Sequence, residues 1–275
     1  MRFTWLCFFT ILLWAPAWSQ RIDFDTSRAL DTMRELSVHI GIRHGGSEAE
    51  HRAARFLVER LQSYGYRRVH VVPFVLPNGR HSQDVWVDKP GADPRLLLVG
   101  AHMDSKGEAP GANDNASGCG VVLELARDMA AVKTHETIRF MFFGSEEIIN
   151  PQRPSGHHFG SRYYVQHDLE SDIDGMICID AVANGGAFVI GNMEDGSPLA
   201  AALRQDAVHL GYHPLDQTDP GWSDHEPFEK AGVTVAYVRW RVDDHLHTRY
   251  DTMQYVHGDK VAAAGRTVLA ELVKH

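Results

Sequence analysis

The sequence predicts an α/β fold of three layers, in which a mixed, mostly parallel and twisted sheet lies between helices. Two observations support this prediction. Short apolar segments alternate along the chain with longer segments of helical periodicity, which is typical of a sheet covered by helices. The run 95–100 is nearly all apolar, as expected for a strand that is buried on both faces.

The amino-terminal half of the chain predicts two helices and then two strands. Apolar residues recur at helical spacing from Leu30 to Ile40, which predicts a helix at 27–42. A second helix at 49–64 ends before Gly65, a common helix stop. The turn Pro77–Gly79 then joins two strands.

The same patterns continue to the end of the chain. Strands are predicted at 68–74, 84–87, 95–100, 137–143, 175–180, 188–190 and 233–238. Further helices are predicted at 116–131, 160–167, 199–210 and 256–273. Since the sequence contains no internal repeat and no linker, we expect a single domain over residues 20–275.

The first 19 residues differ from the rest of the chain. Arg2 precedes an apolar run from Trp5 to Trp14, and the stretch 15–19 offers small residues at the spacing of a cleavage site. These features predict a secretory signal peptide at residues 1–19. A membrane anchor is the alternative, but roughly 12–15 apolar residues are too few to span a bilayer core of about 30 Å. We therefore expect a secreted or periplasmic protein without a membrane span.

The charge balance and the cysteines restrict the function further. The chain has 27 Lys and Arg against 36 Asp and Glu, a formal net charge of −9, which argues against a nucleic-acid partner. Cys7 leaves with the predicted signal peptide. Cys119 and Cys178 are too few for a disulfide framework. They could pair with each other, but each lies beside an apolar run, so buried free thiols are expected.

Metal-ligand side chains follow four predicted strands at their carboxyl ends. These are His102 with Asp104, Glu146 with Glu147, Asp180, and the histidines of 243–247. The loop 111–118, which is rich in Gly and Asn, adds Asp114. In open α/β sheets, reactive groups gather beyond the carboxyl ends of the strands. The sequence therefore predicts a metal centre at this edge.

The residue types indicate which metal is bound and how many ions there are. Imidazole and carboxylate suit zinc, and the absence of thiolates from these motifs excludes a cysteine-rich structural site. Two histidines and three carboxylates are too many for one four-coordinate ion, but they fit two ions that share one carboxylate. Asp114 is the natural bridge. The adjacent side chains of Glu146 and Glu147 diverge, so one can bind metal while the other faces a water molecule.

Several neighbouring residues have alternative interpretations. His245 is a rival of His247 as a ligand, and Asp114 could instead cap the helix that follows it. The pair at 157–158 is interpreted as two loop histidines rather than as a third metal site. Trp222 and Trp240 either line a substrate pocket or belong to the core.

Six short motifs, taken together, resemble those of the M28-type zinc aminopeptidases, the aminopeptidase Y and S family. They are AHMDS at 101–105, GANDNASG at 111–118, FGSEE at 143–147, ID at 179–180, SDHEPF at 223–228 and HTRYDT at 247–252. The match runs in order from about Arg34 to the carboxyl terminus. Each motif is short, but their joint order and spacing are specific. The resemblance implies a zinc exopeptidase-like fold.

The resemblance also implies a role for each matching residue. His102 and Asp180 would hold one zinc ion, Glu147 and His247 would hold the other, and Asp114 would bridge them. Glu146 would be the general base, and Asp104 would orient His102. His225 would lie by the substrate pocket, and the Asp114–Asn115 peptide bond would be cis. The expected reaction is hydrolysis of the first peptide bond of peptides with a free amino terminus.

Two departures from the family pattern keep other functions open. The segment 148–159 is longer than in compact aminopeptidases and is similar to that of glutaminyl cyclases, which share the fold and use one zinc ion. Leu246 stands where some aminopeptidases have tyrosine and cyclases have tryptophan. The motifs at 111–118 and 247–252 nevertheless favour the peptidase. A non-catalytic ectodomain is disfavoured because Glu146 and the five candidate ligands are all present.

Overall fold

The computed structural model describes residues 22–147 and 156–275, so the predicted signal peptide lies outside the described residues. Seven strands form one sheet in the order β1-β2-β4-β3-β5-β7-β6. The strands are β1 (His70–Val75), β2 (His81–Lys89), β3 (Asp93–His102), β4 (Glu136–Phe143), β5 (Ile173–Ile179), β6 (Ala187–Gly191) and β7 (Val235–Arg241). Every predicted strand is therefore present, with ends that differ by a few residues.

The sheet is mixed but mostly parallel, as the sequence predicts. β4, β3, β5 and β7 are parallel to their neighbours in the centre of the sheet. β2 is antiparallel to both β1 and β4, and β6 is antiparallel to β7. β1 therefore points the same way as the four central strands, and only β2 and β6 are reversed. The carboxyl ends of the central strands consequently meet at one edge.

Helices cover both faces of the sheet. They are α1 (Thr26–Arg34), α2 (Glu48–Ser63), α3 (Ala116–Met129), α4 (Phe159–His167), α5 (Pro198–His209), α6 (His225–Lys230) and α7 (Gly258–Leu272). The predicted helix 27–42 is correct in extent, but its second half, Glu35–Ile40, is a π-helical turn that ends at Gly41. The short helix α6 and the 3-10 turn Met253–Tyr255 were not predicted.

Strand side chains alternate between two hydrophobic cores, which confirms the three layers. Leu97 and Val99 of β3 belong to the larger core, which also contains side chains of α1, α2, α3, α5 and α7. Leu98 belongs to the smaller core, where Tyr164 of α4 and Phe228 of α6 pack on the opposite face. Successive strand residues point to opposite faces, so a run such as 96–99 has to be apolar throughout.

Helix α3 joins the metal-ligand loop to the core. The side chain of Asn115 caps its first turn by accepting a hydrogen bond from the Gly118 amide at 2.8 Å. Nearly all of α3 is buried, and a Cβ atom at Gly118 would collide with the carbonyl oxygen of Ile179 at the end of β5. This close approach brings the start of α3 next to Asp180. The thiols of Cys119 and Cys178 are buried and free, as predicted.

No helix within 22–147 or 156–275 combines the length and the apolar character that a bilayer crossing requires.

Asp128, near the end of α3, provides a test of stability against pH. Burial raises the pKa of its carboxyl to about 7, with Glu124 adding to the shift and Arg127 opposing it. The unfolded pKa is about 3.9, so the folded protein binds the extra proton and stability falls as pH rises from about 4 to 7. The wild type loses this stability between pH 5 and pH 8, whereas Asp128→Asn has no carboxyl group to titrate. The difference in unfolding free energy between variant and wild type should therefore shift by about 2 kcal/mol in favour of the variant from pH 5 to pH 8.

The measurement is urea unfolding of both proteins at the two pH values. A difference between them that stays constant from pH 5 to pH 8 would contradict this prediction.

Candidate metal centre

The sheet edge collects the candidate ligands as the sequence predicts. His102 is the last residue of β3, Glu146 and Glu147 follow β4, and Asp180 directly follows β5. Asp114 lies in the loop before α3, and His247 lies in the loop between β7 and the 3-10 turn. All of these side chains are buried except His247, whose side chain is 38% exposed.

Two groups of three ligands share the carboxylate of Asp114. In the first group, His102 Nε2 lies 3.1 Å from Asp114 Oδ1 and 3.6 Å from Asp180 Oδ1. In the second group, His247 Nε2 lies 2.9 Å from Asp114 Oδ2 and 3.3 Å from Glu147 Oε1. Ligands bound tetrahedrally at about 2.0–2.1 Å are separated by about 3.3–3.4 Å. Both groups therefore have the dimensions of a zinc site.

Unpaired atoms in the centre show that the donor set fits a cation. Within the described chain, His102 Nε2, Asp114 Oδ1, Glu147 Oε1 and Asp180 Oδ1 are buried and have no hydrogen-bond partner. A buried polar atom without a partner costs about 1–3 kcal/mol, and more if the group is charged. The four atoms converge on the two ligand groups. Divalent cations at these positions would satisfy all of them.

Protons compete with cations for the same atoms. Burial lowers the pKa of His102, but Glu146 and the neighbouring carboxylates outweigh it and raise that pKa well above its usual value. Burial also lowers the pKa of His247, whereas Asp114 and Glu147 raise it to about 10. Metal binding requires neutral imidazoles, so it must release these protons, and zinc affinity should fall as the pH falls.

Asp104 lies where the sequence predicts an orienting carboxylate. Its Oδ1 is 3.2 Å from Nδ1 of His102, which leaves Nε2 of that ring facing Asp114. The same carboxylate accepts hydrogen bonds from the backbone amides of Glu146 at 2.9 Å and Glu147 at 3.1 Å. Asp104 thus ties the end of β3 to the end of β4 and orients a candidate ligand.

The loop that carries Asp114 is held from the carboxyl-terminal motif. The Asp251 carboxylate accepts hydrogen bonds from the amides of Asn113 at 2.6 Å and Asp114 at 3.0 Å. The Asn113 side chain in turn accepts from the amide of Ala183 at 2.7 Å. The Asp114–Asn115 peptide bond is cis, as the resemblance implies. These contacts give a structural reason for the aspartate, Asp251, in the motif at 247–252.

Arg43 is a structural residue that the sequence analysis missed. Its side chain is fully buried and donates to five backbone carbonyls, those of Leu36, Gly41, Met103, Pro110 and Gly111. Three of these carbonyls belong to the segment between His102 and Asp114. Because all five partners are backbone carbonyls, and three of them lie 60–68 residues away in the chain, no side-chain pattern around Arg43 could have indicated this role.

His158 contacts the candidate general base. Its Nε2 lies 2.9 Å from Glu146 Oε1, and its Nδ1 lies 2.9 Å from Glu226 Oε2. Burial lowers the pKa of His158, but the two carboxylates raise it to about 10, so both ring nitrogens donate. The sequence analysis interpreted His158 as one of two loop histidines, whereas the structure shows it buried against Glu146.

The group formed by His157, His158 and Glu226 has the spacing of a third metal site. Unlike the atoms of the centre, its buried polar atoms already have hydrogen-bond partners. Glu226 also accepts hydrogen bonds from Arg162 at 2.8 Å and Lys230 at 2.5 Å. Among the described residues, this group has no buried polar atom without a partner. Its negative charge is already paired, so the geometry favours ion pairs there rather than a metal ion.

The backbone around the centre adopts conformations that side chains disfavour. In the described part of the chain, five residues other than glycine have a positive φ, between 52° and 64°. They are Ser145, His158, Ala181, Val242 and His247. Each is a candidate residue, a neighbour of one, or part of the cavity wall. Such conformations cost about 1–3 kcal/mol each and cluster at functional sites.

A cavity of about 650 Å³ opens over both ligand groups. Trp222 and Leu246 form part of its wall, and Trp222 is 43% exposed. Trp240 instead stacks on Phe188 with a centroid distance of 5.0 Å, so only the first of the two tryptophans lines the cavity.

Two other histidines have structural roles in this region. His225 is fully buried and stacks on Tyr237 at 4.4 Å, with its Nε2 at 3.2 Å from Asp219. The rival residue His245 stacks on Tyr255 at 3.8 Å, and the ligand groups include His247 instead.

Comparison with known protein families identifies the fold that carries this centre. Residues 84–272, more than half of the chain, match the sequence profile of peptidase family M28. The chain belongs to peptidase family M28. The matched range contains every candidate ligand as well as Glu146 and His158. Family membership therefore covers the whole centre.

Similar proteins include peptidases and cyclases. Aminopeptidase YwaD of Bacillus subtilis (strain 168) is 32% identical over 191 residues, 64% of this M28 chain and 40% of that protein. Among solved structures, the zinc aminopeptidase BSAP from Bacillus subtilis has a TM-score of 0.83 at 20% identity and covers 91% of this chain and 95% of its own. Bacteroides thetaiotaomicron glutaminyl cyclase has a TM-score of 0.79 at 18% identity and covers 92% and 99%.

At these identities the structural likeness shows the fold alone, and the fold is common to peptidases and cyclases. The chain spans about half the length of the curated relatives that it matches.

Proposed function

We propose that this M28 chain is an exported zinc-dependent aminopeptidase that hydrolyses the first peptide bond of peptides with a free amino terminus, using two zinc ions. The observation that carries the proposal is the geometry of Asp114. Its two carboxylate oxygens belong to different ligand groups, at 3.1 Å from His102 Nε2 and 2.9 Å from His247 Nε2. A carboxylate shared in this way is suited to bridge two ions. Export is inferred from the features of residues 1–19.

When bound, the two zinc ions would lower the pKa of a water molecule and polarise the scissile carbonyl group. His102, Asp114 and Asp180 would hold one ion, and Asp114, Glu147 and His247 the other. Glu146 takes the proton of the attacking water and then passes it to the departing amine.

The surroundings of Glu146 suit this task. Burial raises its pKa to about 8, while the positive charges on His102 and His158 act against that rise. His158 donates a hydrogen bond to Oε1, which leaves Oε2, at 3.9 Å from His102 Nε2, as the oxygen that meets the water. The cavity over the centre, of about 650 Å³, has room for the first residues of a peptide.

A single-zinc glutaminyl-peptide cyclotransferase is the second candidate. It is favoured by the length of segment 148–159, most of which lies outside the described residues, and by the structural likeness to glutaminyl cyclases. The presence of two ligand groups, rather than one, favours the peptidase.

Metal analysis and product analysis together separate the candidates. Metal analysis of the purified protein should give close to two zinc ions per chain, and an N-terminal Leu peptide should release free leucine. One tightly bound zinc ion, together with an N-terminal Gln peptide that loses ammonia without cleavage, would overturn the peptidase proposal. A protein with zinc bound that converts neither peptide would favour a non-catalytic ectodomain. The amino terminus of the exported protein should begin near residue 20.

Replacing His158 tests its contact with the general base. We expect His158→Ala to lower kcat by roughly 10–100-fold, because Glu146 loses a charge-assisted hydrogen bond that orients it. The zinc content should stay unchanged, since His158 belongs to neither ligand group that shares Asp114.

The matched control is His167→Ala, which removes an exposed histidine at the other end of α4. If His158→Ala and His167→Ala have the same kcat as the wild type, His158 does not support the base.

A further inference from the structure

One wall of the cavity is basic, although the chain as a whole is acidic. Arg239 and Arg241 occupy alternate positions at the end of β7, so their side chains share one face of the sheet. Both line the cavity beside Trp222. The guanidinium carbon of Arg241 lies 4.4 Å from the centre of the indole ring, and that of Arg239 lies 5.8 Å from it.

Neither arginine has a carboxylate partner among the described residues. Within the described chain, the side chain of Arg239 donates one hydrogen bond, from Nη1 to the Tyr237 hydroxyl at 2.9 Å, and its buried Nε has no partner. For Arg241, no ion pair within 4 Å exists in that part of the chain. A largely buried cation without an anion is costly, so such a group is rarely kept without a use.

The nearby acidic groups are engaged elsewhere. Asp243 accepts hydrogen bonds from the side-chain amides of Asn113 at 2.8 Å and Asn184 at 2.7 Å. Asp219 accepts from the amides of Gly221 and Trp222, which fixes the indole at the rim of the cavity. The two guanidinium groups are therefore left facing the cavity.

The arginines are not needed to balance the candidate metal centre. Its ligands include the carboxylates of Asp114, Glu147 and Asp180, and Glu146 lies beside them. Two divalent cations would balance these four negative charges. Once they are balanced, the positive charge of the arginine wall is available to an anionic group of the substrate.

The wall lies close to the position of the scissile bond. The amide of Asp180, a candidate ligand, donates to the carbonyl of Val238 at 3.1 Å. Arg239 directly follows Val238 on β7, so it lies next to this ligand. Arg241 lies about 6–7 Å farther along the strand. A peptide residue spans about 3.3–3.6 Å. Both arginines line the same cavity as the candidate metal ligands, so a carboxylate one or two residues from the reacting carbonyl is within their reach.

We propose that Arg239, Arg241 and Trp222 form a carboxylate-binding subsite, so that the enzyme prefers peptides with a carboxylate within one or two residues of the bond that is cut. The planar guanidinium group binds a carboxylate through two parallel hydrogen bonds. The carboxylate comes from an acidic first side chain or from the carboxyl terminus of a dipeptide. This proposal rests on the proposed aminopeptidase function and names its substrate class.

Two matched pairs of peptides test the preference and identify its source. Leu-Leu against Leu-Leu amide reports on the carboxyl terminus of a dipeptide. Asp-Leu amide against Asn-Leu amide reports on an acidic first side chain. In at least one pair, kcat/KM should be about tenfold or more higher for the carboxylate peptide. Ratios close to one in both pairs would overturn the proposal.

The variant Arg241→Gln should bring that ratio close to one, while Arg241→Lys should retain part of it. The matched control is Arg34→Gln. Arg34 lies in an exposed ion pair on α1 and does not line the cavity, so this variant should keep the wild-type ratio. A ratio within one variant does not depend on the folded fraction. An unchanged ratio in Arg241→Gln would also overturn the proposal.

Binding separates failure of the subsite from failure of the proposed function. In zinc-loaded Glu146→Gln protein, calorimetry gives the dissociation constants of both peptide pairs without turnover. If the wild type cleaves no peptide, the aminopeptidase function fails. If the carboxylate peptides bind more tightly and this preference disappears when Arg241→Gln is added, the subsite is still supported. If the carboxylate peptides bind no more tightly than their neutral partners, the subsite proposal is overturned.

Discussion

Glu146→Gln should lower kcat by about 10³-fold while leaving the zinc content unchanged. Proton transfer by a positioned side chain contributes about 10²–10⁴-fold to catalysis, and glutamine cannot accept the proton of the attacking water. Glu146 belongs to neither ligand group, and the amide keeps nearly the same shape, so the metal ions should stay bound. The measurement is steady-state kinetics with an N-terminal Leu peptide, together with metal analysis of the same sample.

Glu59→Gln is a matched control, because Glu59 is an exposed residue on α2. Its kcat should equal that of the wild type. Turnover by Glu146→Gln at close to the wild-type rate would remove Glu146 as the general base, whereas loss of zinc from this variant would make it a ligand instead.

Asp114→Asn should have the second large effect, which is the loss of bound zinc and of activity together. Asp114 is the one residue that belongs to both ligand groups, so its replacement weakens both at once. An amide offers one oxygen in place of two and has no charge to balance the cations. We expect less than one zinc ion per chain after dialysis and a fall in kcat/KM of more than about 10³-fold.

Thermal unfolding with and without added zinc provides a second measurement of the same change. Zinc that binds only the folded state raises the unfolding temperature of the wild type, and Asp114→Asn should lose most of that rise. Asp31→Asn, at an exposed position on α1, is the matched control. If Asp114→Asn retained two zinc ions, Asp114 would not be the bridge.

Most of the fold could be predicted because each central strand carries its own signal. Segments buried on both faces are apolar throughout, and the helices between them show a period of 3.6 residues. The π-helical turn Glu35–Ile40 and the short helix α6 were missed, since neither has a distinct pattern. The sheet order could not be read from the sequence, because strand neighbours are chosen by packing between distant segments.

The candidate ligands could be found from the sequence because they stand at the ends of strands or in a distinct loop. A polar residue directly after a buried strand, as with Asp180, is visible in the sequence itself. The assignment of His247 over His245 depended on the motif resemblance, and the structure supports it through the contact with Asp114.

The sequence by itself determined the α/β class and the carboxylate and histidine set that the strand ends present. The tertiary structure alone decided what surrounds that set. It brought His158 against Glu146, Arg43 against three distant carbonyls, and Arg239 with Arg241 against Trp222. The physical reason is that burial and strand ends leave a local pattern in the sequence. A hydrogen bond or a charge contact between distant segments leaves none, because it depends on where the fold places both partners.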